Sequence, residues 1–209
     1  SFIDVVNGPL AIRSSSLLED SHYQPFAGIY STYMIPCAGD KYMRLNMLSN
    51  AIKGVYASVF YRASKDYMVA TSNVIDQEKM AVILQEVVGQ EYASGVYPTI
   101  SGVGRSINYY PIGDEKADEG VVELALGLGK YIVDGGLCLR VCPHHPDKVL
   151  QTSEMEIALR ETQTSFFALD TSPVDGAGQQ GLQFQVDDAF NLKRVTVRDA
   201  DKDGSLRWI

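Results

Sequence analysis

Leu10-Ala11-Ile12-Arg13-Ser14-Ser15-Ser16-Leu17-Leu18-Glu19-Asp20, running on to Phe26-Ala27-Gly28, is the stretch on which the reading of the fold turns. Leu10 to Ile12 is a tight apolar run and reads as the end of a buried strand. Arg13 follows at once, and then the hydroxyls of Ser14, Ser15 and Ser16. Glu19 and Asp20 supply carboxylates, and Ala27-Gly28 reads as a small-residue turn. A strand end that delivers a cation, hydroxyls and backbone donors together suits a phosphate. It is also where open α/β sheets bind their ligands.

Working outward, Ile29 to Ile35 is β-branched and aromatic and reads as a strand, and Cys37 to Asp40 as a turn. Leu45, Leu48, Ile52, Val55 and Val59 recur at helical spacing, which predicts a helix of about five or six turns, weakened slightly by Gly54. Arg62 and Lys65 would fall near its C-terminal end, where the helix dipole favours cations. Met80 to Val88 reads as a strand buried on both faces at its start. Gly95 to Thr99 is a short strand that Pro98 confines to an edge or a strand terminus, with Ile107 to Ile112 as a pairing partner. The charge run Gly113 to Gly120 reads as a solvated loop, and Val121 to Leu126 as a buried strand. Gly135-Gly136 turns the chain into Leu137 to Val141. Glu154 to Phe167 has helical spacing, Thr171 to Gly181 reads as a loop, and Val195 to Val197 as a strand.

Composition narrows the class. The 209 residues are 45% hydrophobic and 21% charged, ordinary for a globular protein. No apolar run is long enough to cross a bilayer as a helix. The opening SFIDVVNGPL lacks the basic and apolar regions of a signal peptide and reads as entering in mid-structure. Three cysteines, Cys37, Cys138 and Cys142, argue against a disulfide framework and fit a reducing, cytoplasmic setting. A net charge of -8 disfavours nonspecific binding to nucleic acid or anionic membranes. An anionic ligand would need a local cationic pocket.

RSSSLLED followed by FAG resembles the signature of the nucleotide-binding domain of phosphoenolpyruvate synthase and pyruvate phosphate dikinase, a divergent ATP-grasp. Two later stretches resemble the same family, so that the likeness covers roughly Leu10 to Gln163. MAVILQEVVG, Met80 to Gly89, resembles the strand that leads into the hinge beside adenine. The resemblance implies that Gln85, Glu86, Val87 and Val88 seat the base. A core strand ending in a polar turn is the plainer reading. ALGLGKYIVDGG, Ala125 to Gly136, resembles the family's Gly-Leu-Gly-Glu segment, but Lys130 stands where the family has glutamate. An ammonium cannot ligate Mg²⁺, although it can meet a phosphate oxygen. Asp134 or Glu123 would then take the metal role, or that role is weakened.

The resemblance implies a fold and a chemistry. The fold class is α/β (α+β), an ATP-grasp-like domain of mixed or antiparallel sheet with packed helices, incomplete at its N-terminus. Residues 1–145 would be the nucleotide-binding region, and 146–209 a helical extension, loop and short strand leading to further domains. ATP, with Mg²⁺, would phosphorylate a histidine on a separate swivelling domain. That group would then convert pyruvate to phosphoenolpyruvate at a barrel domain. Arg13, Lys130 and Arg140 are the expected catalytic cations, and Arg13 and Arg105 contact the nucleotide. For Arg105 and Arg140 an exposed surface arginine is the ordinary alternative. Glu19 and Asp20 would order the phosphate loop or orient Arg13.

None of His22, His144 and His145 lies in the Gly- and Thr-rich setting of the family's phosphorylated histidine, so this chain is expected to be inactive alone. The expected partners are ATP and the swivel and barrel domains of one parent chain, with a homodimer also open. Two alternatives stay beside this reading. One is a non-catalytic nucleotide-binding regulatory module, and the other a related phosphotransferase with a different acceptor.

Two further patterns are set aside. Cys138-x-x-x-Cys142-x-His144-His145 has zinc-like ligands, but strand alternation gives them no fixed common reach. Asp199-x-Asp201-x-Asp203-Gly204 opens like a calcium loop, whose twelfth position would fall beyond Ile209.

Overall fold

The computed structural model describes residues 2–19, 28–71, 78–171, 191–202 and 204. Asp20, His22, the turn at Ala27, the loop from Ser172 to Gly181 and Asp203 lie outside them. The element order is α1 (Phe2–Val5), β1 (Leu10–Ser16), β2 (Tyr33–Ile35), α2 (Lys41–Ser58), α3 (Arg62–Ala70) and β3 (Met80–Glu86), then β4 (Gln90–Tyr92), β5 (Gly95–Tyr97), β6 (Ser101–Arg105) and β7 (Val121–Ala125). There follow α4 (Lys130–Val133), β8 (Leu139–Val141), α5 (Met155–Glu161), β9 (Ser165–Leu169), β10 (Leu192–Thr196) and α6 (Val197–Lys202). The chain forms two compact units, Ser1–Val87 with Leu169–Leu192, and Val88–Ala168 with Lys193–Ile209.

The first unit is a three-stranded antiparallel sheet, β2-β1-β3, with helix α2 on one face. Strand β1 does not end at Ile12. It continues through Arg13 and the serines to Ser16, because β3 offers a rung to every one of its residues, from Leu10↔Glu86 to Ser16↔Met80. Directly opposed residues share a face. Leu10, Ile12, Tyr33, Ile35, Val82 and Leu84 therefore turn together onto Leu48, Ala51 and Val55 of α2. Ile12 and Val55 are fully buried, each worth roughly 1.5–3 kcal/mol of transfer free energy. Residues 80–86 alternate between half-buried and exposed up to Gln85, so β3 is buried on one face and not on two. On the opposite face Arg13, Ile83 and Gln85 are exposed, whereas Ala11 is buried.

Helix α2 begins where Asp40 caps it, its Oδ1 accepting from the Met43 N–H at 2.7 Å. Leu45, expected in its apolar stripe, is 53% exposed, and the buried positions are Leu48, Ala51, Gly54, Val55 and Ser58. Gly54 earns its place by packing, since a Cβ there would lie 2.7 Å from the Tyr33 ring. The helix stops at Ser58, so Arg62 and Lys65 belong to α3 and not to its C-terminal turn. The Ser58 carbonyl accepts from the Tyr61 N–H at 3.2 Å and from the Ser64 hydroxyl of α3 at 2.6 Å, which satisfies an acceptor at the helix end.

The second unit holds two sheets, β10-β9-β5-β4 and the antiparallel β6-β7-β8. In the first, Tyr97 of β5 packs on Phe166 of β9 with ring centroids 4.7 Å apart. Phe166 and Phe167 are thus strand residues, not the end of a helix. The helix α5 closes at Glu161, and its Met155 and Leu159 are exposed. Strand β5 does terminate before Pro98, as the missing N–H requires. Its partners are β4 and β9; Ile107 to Ile112 forms no strand. Of the initial strand expected over Ile29 to Ile35, only Tyr33–Ile35 forms. Strand pairing starts where β1 has a free edge opposite Ile12.

Candidate nucleotide-binding surfaces

On the open face of the first sheet, β1 and β3 place Arg13 opposite Ile83 and one step from Gln85. The Arg13 Nη1 donates to Gln85 Oε1 at 3.1 Å. The strand register alone holds this guanidinium beside a partly exposed apolar strip, since Ile83 is 43% exposed. Glu86 projects to the other face, as alternation demands, and its carboxylate lies over Gly8, where a Cβ would come within 2.3 Å of it. The side chains of Gln85 and Glu86 therefore do not share a surface. The Val87 N–H is spent on the Pro9 carbonyl at 2.8 Å. Val88 is 82% exposed.

Below Arg13 the strand end is tied by Glu19. Its Oε1 accepts from the Ser14 hydroxyl at 2.7 Å, its Oε2 from the Ser16 N–H at 3.0 Å, and its own N–H donates to Ser16 Oγ. Glu19 thus orders the segment after β1 and does not contact Arg13 through any of these bonds. Tyr30 donates to Glu78 at 2.6 Å nearby. Burial first, and then the Glu78 carboxylate, push the Tyr30 hydroxyl well above its ordinary range.

In the second unit, the β6-β7-β8 ladder sets Val103, Glu123 and Arg140 side by side on one face. Arg105 shares that face by alternation and reaches Glu123 at 3.8 Å. Three residues picked from the sequence for separate reasons are therefore neighbours. Arg140 is engaged further: its guanidinium grips Glu115 through both terminal nitrogens, at 3.2 and 2.8 Å, and donates to Asn108 Oδ1 and the Tyr110 carbonyl. Glu115 also accepts from Asn108 Nδ2 and the Ile112 N–H. Its side chain is 3% exposed, so the run from Gly113 to Gly120 is not simply a solvated loop. The Arg140 hydrogen bond, opposed by burial and aided by the Ile112 and Asn108 donors, pulls the Glu115 carboxyl down to about 2.

Helix α4 covers the Ala125 end of the same face, with Tyr131 and Ile132 packed against Ala125, Val103 and Cys138. Lys130 opens that helix and pairs with Asp134 at 3.2 Å. Lys130 thus has a carboxylate partner one turn on. Burial first, and then Glu123, push the Cys138 thiol up.

The loop between β7 and α4 is held from outside. Gln163 brackets Leu126, accepting from its N–H at 2.8 Å and donating to its carbonyl at 2.9 Å. Ser101 Oγ donates to the Gly127 carbonyl at 2.6 Å, and the Leu128 N–H to the Phe167 carbonyl at 3.0 Å. Gly127 is required, with φ +87° and the Phe166 ring where its Cβ would be. The sequence carried no signal for Gln163, Glu115 or Asn108. An amide and a carboxylate in polar stretches look alike whether they face water or close a cage.

Among the described residues, no group of three or more His, Cys, Asp or Glu side chains could hold a metal ion. No helix among them is long and apolar enough to cross a membrane. Instead of joining Cys138, Cys142 sends its thiol toward Glu119 at 3.7 Å, and His145 meets the same carboxylate at 3.4 Å.

Comparison with known proteins adds the family. The family described as pyruvate phosphate dikinase, AMP/ATP-binding domain, matches residues 3–180. The phosphoenolpyruvate synthase of the archaeon Aeropyrum pernix is 28% identical over 158 residues, which cover 75% of this chain and 16% of that relative. The mixed α/β architecture with antiparallel sheets accords with the ATP-grasp-like fold of that domain.

Proposed function

Given that the chain belongs to the pyruvate phosphate dikinase AMP/ATP-binding domain family, we propose that it is the ATP-binding portion of a phosphoenolpyruvate synthase-like phosphotransferase. In the parent protein ATP would phosphorylate a histidine of a swivelling domain, and the phosphohistidine would convert pyruvate to phosphoenolpyruvate. The observation that carries this reading is the Arg13–Gln85 pair on the face of the β1–β3 ladder turned away from α2. It offers a cation, an amide and an apolar strip together, which is what a nucleotide's phosphate and base need.

In this proposal Arg13 binds phosphate. Gln85 and the backbone of Glu86, Val87 and Val88 meet adenine, with the Val87 contribution limited to its carbonyl. Arg105 and Lys130 neutralise the triphosphate, which is how phosphoryl transfer is generally catalysed. Arg140 acts by holding residues 108–115 beside Arg105 and Glu123. Glu123 and Asp134 do not form a metal cage. In this proposal either would hold Mg²⁺ as that ion is commonly held, by one or two carboxylates together with substrate phosphates. When bound, Mg²⁺ would supply charge neutralisation at the phosphates.

Titration calorimetry with ATP, with and without Mg²⁺, tests the reading. Binding that depends on Mg²⁺ and is lost in Arg13→Ala supports it. Binding indifferent to both changes overturns it. One observation favours a second reading: Lys130 is already neutralised by Asp134, as in a site that has dispensed with its metal-binding acid. That would be a nucleotide-binding regulatory module, for which ATP affinity is the same with and without Mg²⁺. A related phosphotransferase with another acceptor would share the ATP site, and pyruvate-independent ATP consumption by the parent protein would identify it.

A further inference from the structure

We infer that Gln163 is a positioning residue that sets the shape of the glycine loop 126–129, and through it the affinity for nucleotide. The nucleotide half of this inference rests on the function proposed above. The residues of that loop receive their hydrogen bonds from outside, and Gln163 supplies the first of them. Its Oε1 takes the Leu126 N–H, while its Nε2 gives to the carbonyls of Leu126 and Ser165, the latter at 3.0 Å. The side chain thus imitates one residue of a strand. It extends the pairing of β7 by one rung past Ala125 and ties that rung to the first residue of β9.

The arrangement needs an amide. The site asks for one acceptor and two donors on a planar group, which a glutamine has and a carboxylate lacks. Once Leu126 is fixed, Gly127 must turn with φ +87° under Phe166, Leu128 takes its bond from Phe167, and Lys130 begins α4. These hydrogen bonds go to Leu126 and Ser165 and not to a residue proposed to contact ATP, so the influence of Gln163 runs through the backbone of the loop.

Two variants test this in the full 209-residue chain. Gln163→Met keeps the length and removes every hydrogen bond. It is expected to speed amide exchange at residues 126–129 and to weaken ATP·Mg²⁺ binding about tenfold. Gln163→Glu keeps the acceptor but, when ionised, sets a carboxylate against two carbonyls. Protonation returns one donor, and partial burial against two carbonyl oxygens raises the pH at which this happens. Its ATP affinity relative to wild type, measured at each pH, is expected to recover as pH falls from 8 to 5 (roughly tenfold overall). Loop exchange should slow over the same range. A residue that served only general stability would lower the melting temperature without a pH-dependent affinity ratio. Wild-type affinity in both variants, or unchanged exchange at 126–129 in both, overturns the role of Gln163. Absence of ATP binding by the wild-type chain overturns the nucleotide reading instead.

Discussion

Arg140 and Glu115, on a strand and in a loop 25 residues before it, form a two-pronged ion pair at 3.2 and 2.8 Å. The Glu115 side chain is 3% exposed and that of Arg140 24%. Removing one partner strands the other. Glu115→Ala is expected to cost about 3 kcal/mol in urea unfolding, because it leaves the Arg140 guanidinium without its carboxylate and Asn108 Nδ2 and the Ile112 N–H without their acceptor. The double variant Glu115→Leu with Arg140→Met should recover only the part owed to the stranded guanidinium, since Asn108 and the Ile112 N–H still lack their acceptor.

The same pair predicts an acid limit. The Glu115 carboxyl is depressed in the fold from 4.5 to about 2, so its stabilising contribution is complete above pH 4.5. It is lost as pH falls through about 2, when the carboxylate must protonate. Wild-type stability should therefore drop more steeply between these values than that of the Glu115→Leu/Arg140→Met variant. Parallel slopes would refute the assignment.

Gly54 sets helix propensity against packing. Alanine should gain about 1 kcal/mol in a helix interior. Its Cβ would meet the Tyr33 ring at 2.7 Å, and that ring is 2% exposed. Overpacking of this kind costs about 1–3 kcal/mol, so packing wins. Gly54→Ala should lower stability by roughly 1 kcal/mol net, and in Tyr33→Leu the same change should turn neutral or stabilising.

Gly127→Ala meets both a φ of +87° and the Phe166 side chain at 2.6 Å. The loop cannot yield, being tied on both sides. A loss of roughly 3 kcal/mol is expected in thermal or urea unfolding. By contrast, Gly135→Ala shares a positive φ of +79° but has open space around it, and should cost only about 1 kcal/mol.

Lys130→Glu restores the family's acid next to Asp134. Two carboxylates one turn apart repel unless a cation joins them. ATP affinity is expected to fall without Mg²⁺ and to return with it, a difference of about tenfold on calorimetry. An equal loss in both conditions would show that this position contributes only charge to the phosphates.

Much of the candidate site was legible before the fold was known, but unevenly. Arg13, Gln85, Glu123 and Arg105 sit in apolar or glycine-punctuated stretches, where a polar side chain is conspicuous. Glu115 sits in the run GDEKADEG, where nothing separates a caged carboxylate from solvated ones. Phe166-Phe167 fitted a helical period as well as a strand, since a short apolar pair carries no period of its own. Arg62 is not separable from α2 in the sequence, because the break at Val59 to Tyr61 contains neither Gly nor Pro. It is held by Ser64 reaching back to Ser58.

What the sequence by itself determined is the local chemistry. It specified the apolar run of β1 with Arg13 beside it, the capped helix α2, the strand β3, the glycine turn before Lys130 and the family that these stretches share. These depend on residues close in the chain, whose periodicity and turn preferences are written there. The tertiary structure alone decided which charges are partners. Strand register put Glu123 opposite Arg140, sent Gln85 and Glu86 to opposite faces, and brought Gln163 to Leu126 across 37 residues. Register is set by whole ladders of pairing and by the burial of one face, and a shift of one residue would exchange every side chain between faces.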